Sequence, residues 1–209
     1  TRLCELTKKA GLPDGVFNLI HGLGQEAGEA IVTHEGVKAI TFTGSTAVGR
    51  RIGSLCGSTL KKVSLEMGGK NAIIVDQDAD LDEAVKGVLY STFGFAGQKC
   101  SACSRVIILK DVFEKFQDRL LEATKSIRVL ASQDPNAYFG PVVDEEAYLR
   151  IMATIEKGKT QARLLFQGEV PTNGYFVPPT VFTQVPAESS LAQEEIFGPV
   201  LCLISADDM

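Results

Sequence analysis

The sequence has few of the residues that would point to several common classes of protein. Only two of its 209 residues are histidine, and both (His21 and His34) lie in the first predicted strand–helix unit, where neither is a good candidate for a catalytic base. Lysine and arginine number 21 against 26 aspartates and glutamates, with no basic run, which argues against nucleic acid as the main partner. No apolar stretch approaches the ~20 residues that cross a membrane.

Cysteine is present, but its pattern does not indicate a disulfide framework. The five cysteines are an odd number scattered along a chain that is 44% apolar, so a reducing compartment fits better. Cys100 and Cys103 form a CxxC motif, and without a second pair it does not make a zinc site. We expect Cys103 to be buried and inert. Cys100 follows the flexible-looking run Gly94–Lys99, which can bring a thiol to a reacting carbonyl, although a CxxC redox pair remains an alternative.

Short apolar runs alternate with helical patterns, which is typical of α/β architecture. The predicted helices are Thr1–Ala10, Gln25–Thr33, Thr46–Cys56, Asp80–Phe93, Val112–Val129 and Glu145–Glu156. The predicted strands are Val16–Ile20, Val37–Phe42, Lys62–Glu66, Ala72–Val75, Val106–Leu109, Ala162–Phe166 and Val200–Ile204. Val16–Phe42 should form a βαβ unit with parallel strands. Ser205–Asp208 has the pattern of a helix beginning.

Two glycine loops each follow a predicted strand and open a helix. Gly22–Gly28 has the spacing GxGxxxG, and no acidic residue closes the next strand, so a tight turn competes with a dinucleotide-binding loop. Gly44–Arg51 has the glycine spacing of a phosphate-binding loop, but Arg50 and Arg51 replace its lysine and hydroxyl residue. Phosphoryl transfer is therefore disfavoured, and a helix N-terminus that accepts a phosphate or a nicotinamide remains.

Two acidic positions carry alternative interpretations. Glu66 ends an apolar strand just before two glycines and Lys70, so it is either the salt-bridge partner of Lys70 or a poised base. Glu195 lies two residues before Phe197 in a segment that ends in Gly-Pro. The pair is either a helix-terminal glutamate with a core phenylalanine or part of a binding site.

Four segments, taken together, resemble the aldehyde dehydrogenase superfamily. They are Phe42–Thr46, Glu66–Lys70, Gly97–Cys100 and Glu194–Val200, and they occur in the family's order and at family-like intervals across essentially the whole chain. Each is weak alone, but the combination is highly specific. Gly97–Arg105 most resembles the Δ1-pyrroline-5-carboxylate dehydrogenases. These enzymes oxidise glutamate γ-semialdehyde to glutamate in proline degradation, and in many bacteria they are fused behind a proline dehydrogenase.

The resemblance implies a parallel Rossmann-type sheet followed by an α/β catalytic domain. Residues 1–67 would be the C-terminal half of the NAD-binding domain, and residues 68–209 the catalytic domain, incomplete at its C-terminus. NAD and a small-molecule aldehyde are the expected ligands, without metal, in a cytoplasmic homo-oligomer (mitochondrial matrix in a eukaryote). The family's oxyanion asparagine, adenosine-ribose lysine and substrate-anchor loop have no counterpart in these 209 residues. We therefore expect the chain alone to be inactive and to self-associate.

The resemblance also assigns roles to individual residues. Cys100 would be the nucleophile and Glu66 the general base, and Ser101 would help to hold the distal carboxylate of the substrate. The implied cofactor-binding residues are Gly44, Ser45 and Gly49 near the phosphates and nicotinamide, Glu195 at the nicotinamide ribose, and Phe197 against the nicotinamide ring.

Overall fold

The computed structural model describes residues 1–208, which divide into two compact units on either side of the Met67–Gly68 bond. The first unit contains α1 (Arg2–Lys9), a π-helical turn (Gly24–Gly28), α2 (Glu29–Thr33), β1 (Ala39–Gly44), α3 (Thr46–Ser58) and β2 (Lys62–Met67). The second unit contains β3 (Asn71–Val75), α4 (Leu81–Phe93), a 3₁₀ turn (Gly94–Gly97), β4 (Cys103–Leu109), α5 (Lys110–Lys125), α6 (Glu145–Gly158), β5 (Arg163–Gln167), β6 (Thr180–Thr183), α7 (Ser190–Gln193) and β7 (Val200–Ala206).

In the first unit, β1 and β2 are parallel neighbours joined by α3, so this part of the chain is a βαβ crossover. Helix α3 begins where the Ser45 hydroxyl accepts a hydrogen bond from the Val48 N–H, which satisfies one of the free amides of the first turn. Ile52 and Cys56 are buried on the face of α3 that packs towards the strands, and Val32 of α2 joins them.

The predicted strand Val16–Ile20 is wrong. The segment has no regular structure, and Val16 and Ile20 are 64% and 63% exposed. Local hydrogen bonds shape it instead, with Val16 N–H donating to Pro13 and the Asn18 side chain donating to Gly15. A strand forms only where a neighbouring strand pairs with its backbone N–H and C=O groups. Within residues 1–67 the structure shows such pairing between β1 and β2, and none for Val16–Ile20. The βαβ unit is therefore β1–α3–β2 and not Val16–Phe42.

The second unit is built on a five-stranded sheet in the order β3–β4–β7–β6–β5. Strands β3, β4, β7 and β6 run parallel to one another, and the edge strand β5 is antiparallel to β6. Its core fills the space between the sheet and α4, α5 and α6, with fully buried side chains such as Phe93, Phe116 and Phe182. Strand β7 lies at the centre of this sheet and leads directly out of the segment that carries Glu195 and Phe197.

Several predicted boundaries differ from the structure at the C-terminal part of the chain. Ser205 and Ala206 belong to β7, because they pair with Ile108 and Leu109 of β4, so the predicted helix start at Ser205–Asp208 is wrong. The helix predicted to continue to Val129 ends at Lys125. The sequence pattern does not predict the four-residue strand β6, because so short a segment gives too little periodicity to separate it from a loop. Among residues 1–208, no helix combines the length and apolarity that a bilayer crossing requires.

Candidate active site

The residues predicted to form a site fall into two groups, one in each unit. In the first unit, Ser45 follows the end of β1, and Glu66 is the last residue but one of β2. Glu66 pairs in register with Thr43. Both residues therefore lie at the carboxyl end of the two parallel strands, which is also the end where α3 begins. In open α/β sheets this carboxyl edge of the strands is where ligands bind.

The loop at the start of α3 is open to solvent. Gly44, Ser45 and Thr46 are exposed at the N-terminus of a 13-residue helix, where free backbone N–H groups and the helix dipole favour an anion. Gly49, by contrast, is buried, and its backbone packs against the Met67 side chain. The glycine at position 49 is therefore explained by close packing of α3 on β2.

In the second unit, Cys100 lies at a tight turn between α4 and β4. The Ala102 N–H donates to the Lys99 carbonyl at 3.0 Å, which closes the turn and leaves Cys100 and Ser101 exposed at its tip. The Nδ2 atom of Asn71 donates to two carbonyls of this turn, at 2.6 Å to Cys100 and at 3.2 Å to Ala102. The structure thus presents the Cys100 thiol to solvent on a backbone that is tied to β3.

Cys103 has the opposite environment. Its side chain is 3% exposed, its Sγ donates to the Arg105 carbonyl, and its N–H donates to the hydroxyl of Ser91 on α4. Burial raises the pKa of the Cys103 thiol, which disfavours the reactive thiolate. The prediction that Cys103 is buried is confirmed, and this burial disfavours a role for its thiol in a redox pair with Cys100.

The segment before Cys100 adopts an unusual backbone. Phe95 and Ala96 have φ angles of 56° and 55°, and Gly97 has a φ of 69°. The left-handed conformation costs a non-glycine residue roughly 1–2 kcal/mol, so two in succession must be held by their surroundings. The Gly97 position is also crowded, because a Cβ there would lie 2.3 Å from the Gly198 carbonyl oxygen. Gly97 is therefore required both by its conformation and by this close approach.

Glu195 and Phe197 lie beside this segment. A Glu195 carboxylate oxygen accepts a hydrogen bond from the Gly69 N–H at 3.3 Å, and a Cβ at Gly68 would lie 2.0 Å from that same oxygen. Phe197 has a positive φ of 52° and is 40% exposed, so it is not a core residue. The two residues line one crevice together with Gly69, Gly97, Lys99 and Gly198.

Two lysines lie near this crevice, Lys99 in its lining and Lys70 close enough to interact electrostatically with Glu195. Lys99 holds its ammonium over the rings of Tyr90 and Phe95, 5.1 and 5.9 Å from their centroids. The Nζ of Lys70 is buried and has no hydrogen-bond partner among residues 1–208, and burial lowers the pKa of this ammonium. Nowhere in the part of the chain that the structure describes do three His, Cys, Asp or Glu side chains form a cluster able to hold a metal ion.

Sequence reasoning missed the residues that hold the Cys100 turn. Asn71 follows the Gly-Gly-Lys segment and is the first residue of β3. A polar residue at the start of a strand is common, so it does not by itself indicate a contact with the Cys100 turn. Gln98 accepts a hydrogen bond from the Val143 N–H at 3.0 Å through its side-chain oxygen, across 45 positions of sequence. No local pattern identifies either contact, because both depend on segments that only the fold brings together.

Comparison with known proteins identifies the family. The aldehyde dehydrogenase family model matches residues 1–209. A 1-pyrroline-5-carboxylate dehydrogenase of Geobacillus sp. (strain WCH70) is 44% identical over 214 residues, covering 99% of this chain and 42% of the relative. The crystal structure of proline utilization A from Bdellovibrio bacteriovorus, inactivated by N-propargylglycine, superimposes with a TM-score of 0.97 at 51% identity, over 99% of this chain and 22% of that one.

A second solved structure gives the same result. The 1-pyrroline-5-carboxylate dehydrogenase from Thermus with bound NAD has a TM-score of 0.95 at 41% identity, over 99% of this chain and 41% of that one. The present chain therefore spans about two fifths of the length of the curated relatives it matches. The predicted α/β fold is confirmed, and with it the resemblance carried by the four sequence segments: the chain belongs to the aldehyde dehydrogenase family.

Proposed function

We propose that the complete natural protein containing this chain is an NAD-dependent aldehyde dehydrogenase that oxidises glutamate γ-semialdehyde to glutamate. The observation that carries the proposal is the exposed Cys100 thiol on its tethered turn, in a chain of this family. The substrate follows from relatives named 1-pyrroline-5-carboxylate dehydrogenase and from the similarity to proline utilization A. Residues 1–67 would serve as part of the NAD-binding domain, and residues from 68 onward as part of the catalytic domain.

The residues present fit NAD on two grounds. The exposed start of α3 at Gly44–Ser45 offers free backbone N–H groups to a pyrophosphate. It lies at the carboxyl end of the strands, where open α/β sheets bind their ligands. Glu195 offers a carboxylate to ribose hydroxyls, and the exposed Phe197 offers an aromatic face to a nicotinamide. The buried Gly49 would act by letting α3 pack closely on β2. When bound, NAD supplies the acceptor for the hydride that leaves the aldehyde carbon.

The chemistry of this chain's residues divides into two halves. Cys100, after losing its thiol proton to solvent, would bond through Sγ to the aldehyde carbon; the carbonyl π pair moves onto oxygen, which gives the thiohemiacetal as its oxyanion. The Cys100 N–H would stabilise that oxygen. After oxidation the acyl group remains on Cys100 as a thioester. Glu66 would then take a proton from the water that attacks the thioester, which releases the acid and restores the thiol. Ser101, exposed beside Cys100, would contact the far carboxylate of the substrate.

A panel of aldehydes tested with NAD and with NADP on the complete natural protein decides this proposal. We expect the highest kcat/KM for glutamate γ-semialdehyde with NAD. A clear preference for an aldehyde without a distal carboxylate would refute the substrate and leave the family intact. An absence of aldehyde oxidation, together with reversible Cys100–Cys103 disulfide formation, would support the thiol-redox alternative instead.

A further inference from the structure

We propose that Asn71 is a positioning residue for Cys100, whose side-chain amide fixes the turn that presents the nucleophile. The inference rests on the proposed function of Cys100 and goes beyond it, because Asn71 would act through backbone hydrogen bonds and not through contact with the substrate.

The chemistry of the contact fixes the orientation of the Asn71 side chain. The two groups that it meets, the Cys100 and Ala102 carbonyls, are both acceptors. Only the NH₂ end of a carboxamide donates, and it has one N–H for each carbonyl. Asn71 therefore spans the turn that the Ala102-to-Lys99 hydrogen bond closes. Among residues 1–208, no other side chain donates to either carbonyl.

The strand that carries Asn71 is itself held in place. Asn71 opens β3, which pairs with β4 in the five-stranded sheet, and the Ser104 hydroxyl donates to the Asn71 carbonyl at 3.4 Å. The far side of the turn is held where Ser91 on α4 accepts from the Cys103 N–H at 3.0 Å. The turn is therefore fixed to a strand on one side and to a helix on the other.

Fixing the Cys100 carbonyl fixes the plane of the following peptide and, with it, the direction of the Cys100 side chain. Attack on an aldehyde and departure of hydride both require the sulfur and the carbon to be aligned. A displacement of about 1 Å at such a centre can cost about 100-fold in rate. Alkylation by a small diffusing reagent needs only an exposed thiol, so it should depend much less on this alignment.

The test compares Asn71→Ala and Asn71→Asp in the complete natural protein, because both remove the donors and aspartate keeps the shape. Asn173→Ala is the matched control, since Asn173 is exposed in a bend. Single-turnover NADH formation from glutamate γ-semialdehyde should fall about 10- to 100-fold in both variants. The KM for NAD and the rate of Cys100 carboxamidomethylation by iodoacetamide, followed by mass spectrometry, should change little. The control should match the wild type in every measurement.

Hydrogen exchange provides a readout that does not depend on activity. The Ala102 amide, which is hydrogen-bonded across the turn, should exchange faster in both Asn71 variants, and exchange in the rest of the sheet should be unchanged. If the wild type oxidised no aldehyde, the proposed function would fail, and faster exchange confined to residues 99–102 would still support the tether.

Two results would overturn the inference. One is an unchanged single-turnover rate, or unchanged exchange at residues 99–102, in both Asn71 variants. The other is a parallel loss of turnover, alkylation and thermal stability, which would give Asn71 a role in folding and not in positioning.

Discussion

Gly68 lies directly under the Glu195 carboxylate, so replacing it with alanine should displace that carboxylate and leave the fold in place. The added Cβ would lie 2.0 Å and 2.3 Å from the two Glu195 oxygens, where ordinary contact begins near 3.4 Å. Gly68 does not have a positive φ, so alanine brings no backbone strain. The three atoms nearest to the added Cβ all belong to Glu195, so the change acts first on that side chain.

The size of the effect follows from these distances. The Glu195 oxygens must retreat by more than 1 Å, which breaks the 3.3 Å hydrogen bond from the Gly69 N–H. If Glu195 binds the nicotinamide ribose, a shift of this size should lower kcat/KM for NAD by about 10- to 100-fold. Because the displaced group is the flexible end of an exposed side chain, stability should change by no more than about 0.5 kcal/mol.

Gly69→Ala is the matched control, because a Cβ there meets only Asn71 Oδ1, at 3.7 Å, and the Gly69 N–H remains. Steady-state kinetics in NAD and thermal unfolding should be measured for Gly68→Ala, Gly69→Ala, Glu195→Ala and the Gly68/Glu195 double variant. Gly68→Ala should cost little once Glu195 is already truncated. Wild-type kinetics in Gly68→Ala, or full additivity in the double variant, would refute the reasoning.

Four further outcomes are expected. Cys100→Ser should abolish aldehyde oxidation while Cys103→Ser retains most of it, and equal losses in steady-state assays would instead indicate a redox pair. Glu66→Gln should retain a burst of NADH and lose turnover in stopped-flow measurements, because deacylation is slowed more than acylation; unchanged turnover would exclude Glu66 as the base. Phe116→Ala, at a fully buried site, should lower the free energy of unfolding by about 3–5 kcal/mol in urea titrations. The 209-residue chain by itself, which spans 42% of its Geobacillus relative, should show no NADH formation and little heat of NAD binding.

The sequence predicted most of the elements wherever a segment pairs or packs within the chain. The sequence predicts helix α4 to within one residue, because an aspartate precedes a regular apolar face; in the structure Asp80 caps the helix by accepting from the Asp82 and Glu83 amides. The predicted strand Val16–Ile20 shows the limit of this reasoning, since its apolar pattern is strand-like but no described neighbour pairs with it. Periodicity reports which face of a segment is apolar, whereas strand formation also needs a partner for the backbone.

The candidate site divides in the same way. Residues that carry chemistry, such as Cys100 and Glu195, could be selected from local motifs, because their neighbours in sequence are distinctive. The residues that hold these groups in place could not be identified from local motifs, because Asn71 is 29 positions from Cys100 and Gly69 is 126 positions from Glu195. Each support is a single polar contact that gives no periodic signal in the sequence.

The segment before Cys100 shows why these supports matter. The sequence suggested a flexible run, yet the structure holds Phe95 and Ala96 in left-handed conformations that they would leave if they were free to relax. Gly97 packs against the Gly198 backbone, Gln98 accepts from the amide of a distant loop, and Asn71 spans the turn that follows. The cost of the strained backbone is thus opposed by contacts from three separate parts of the fold. Loosening any one of these contacts should affect the geometry at Cys100 before it affects the stability of the sheet, which is the order of effects that the Asn71 variants test.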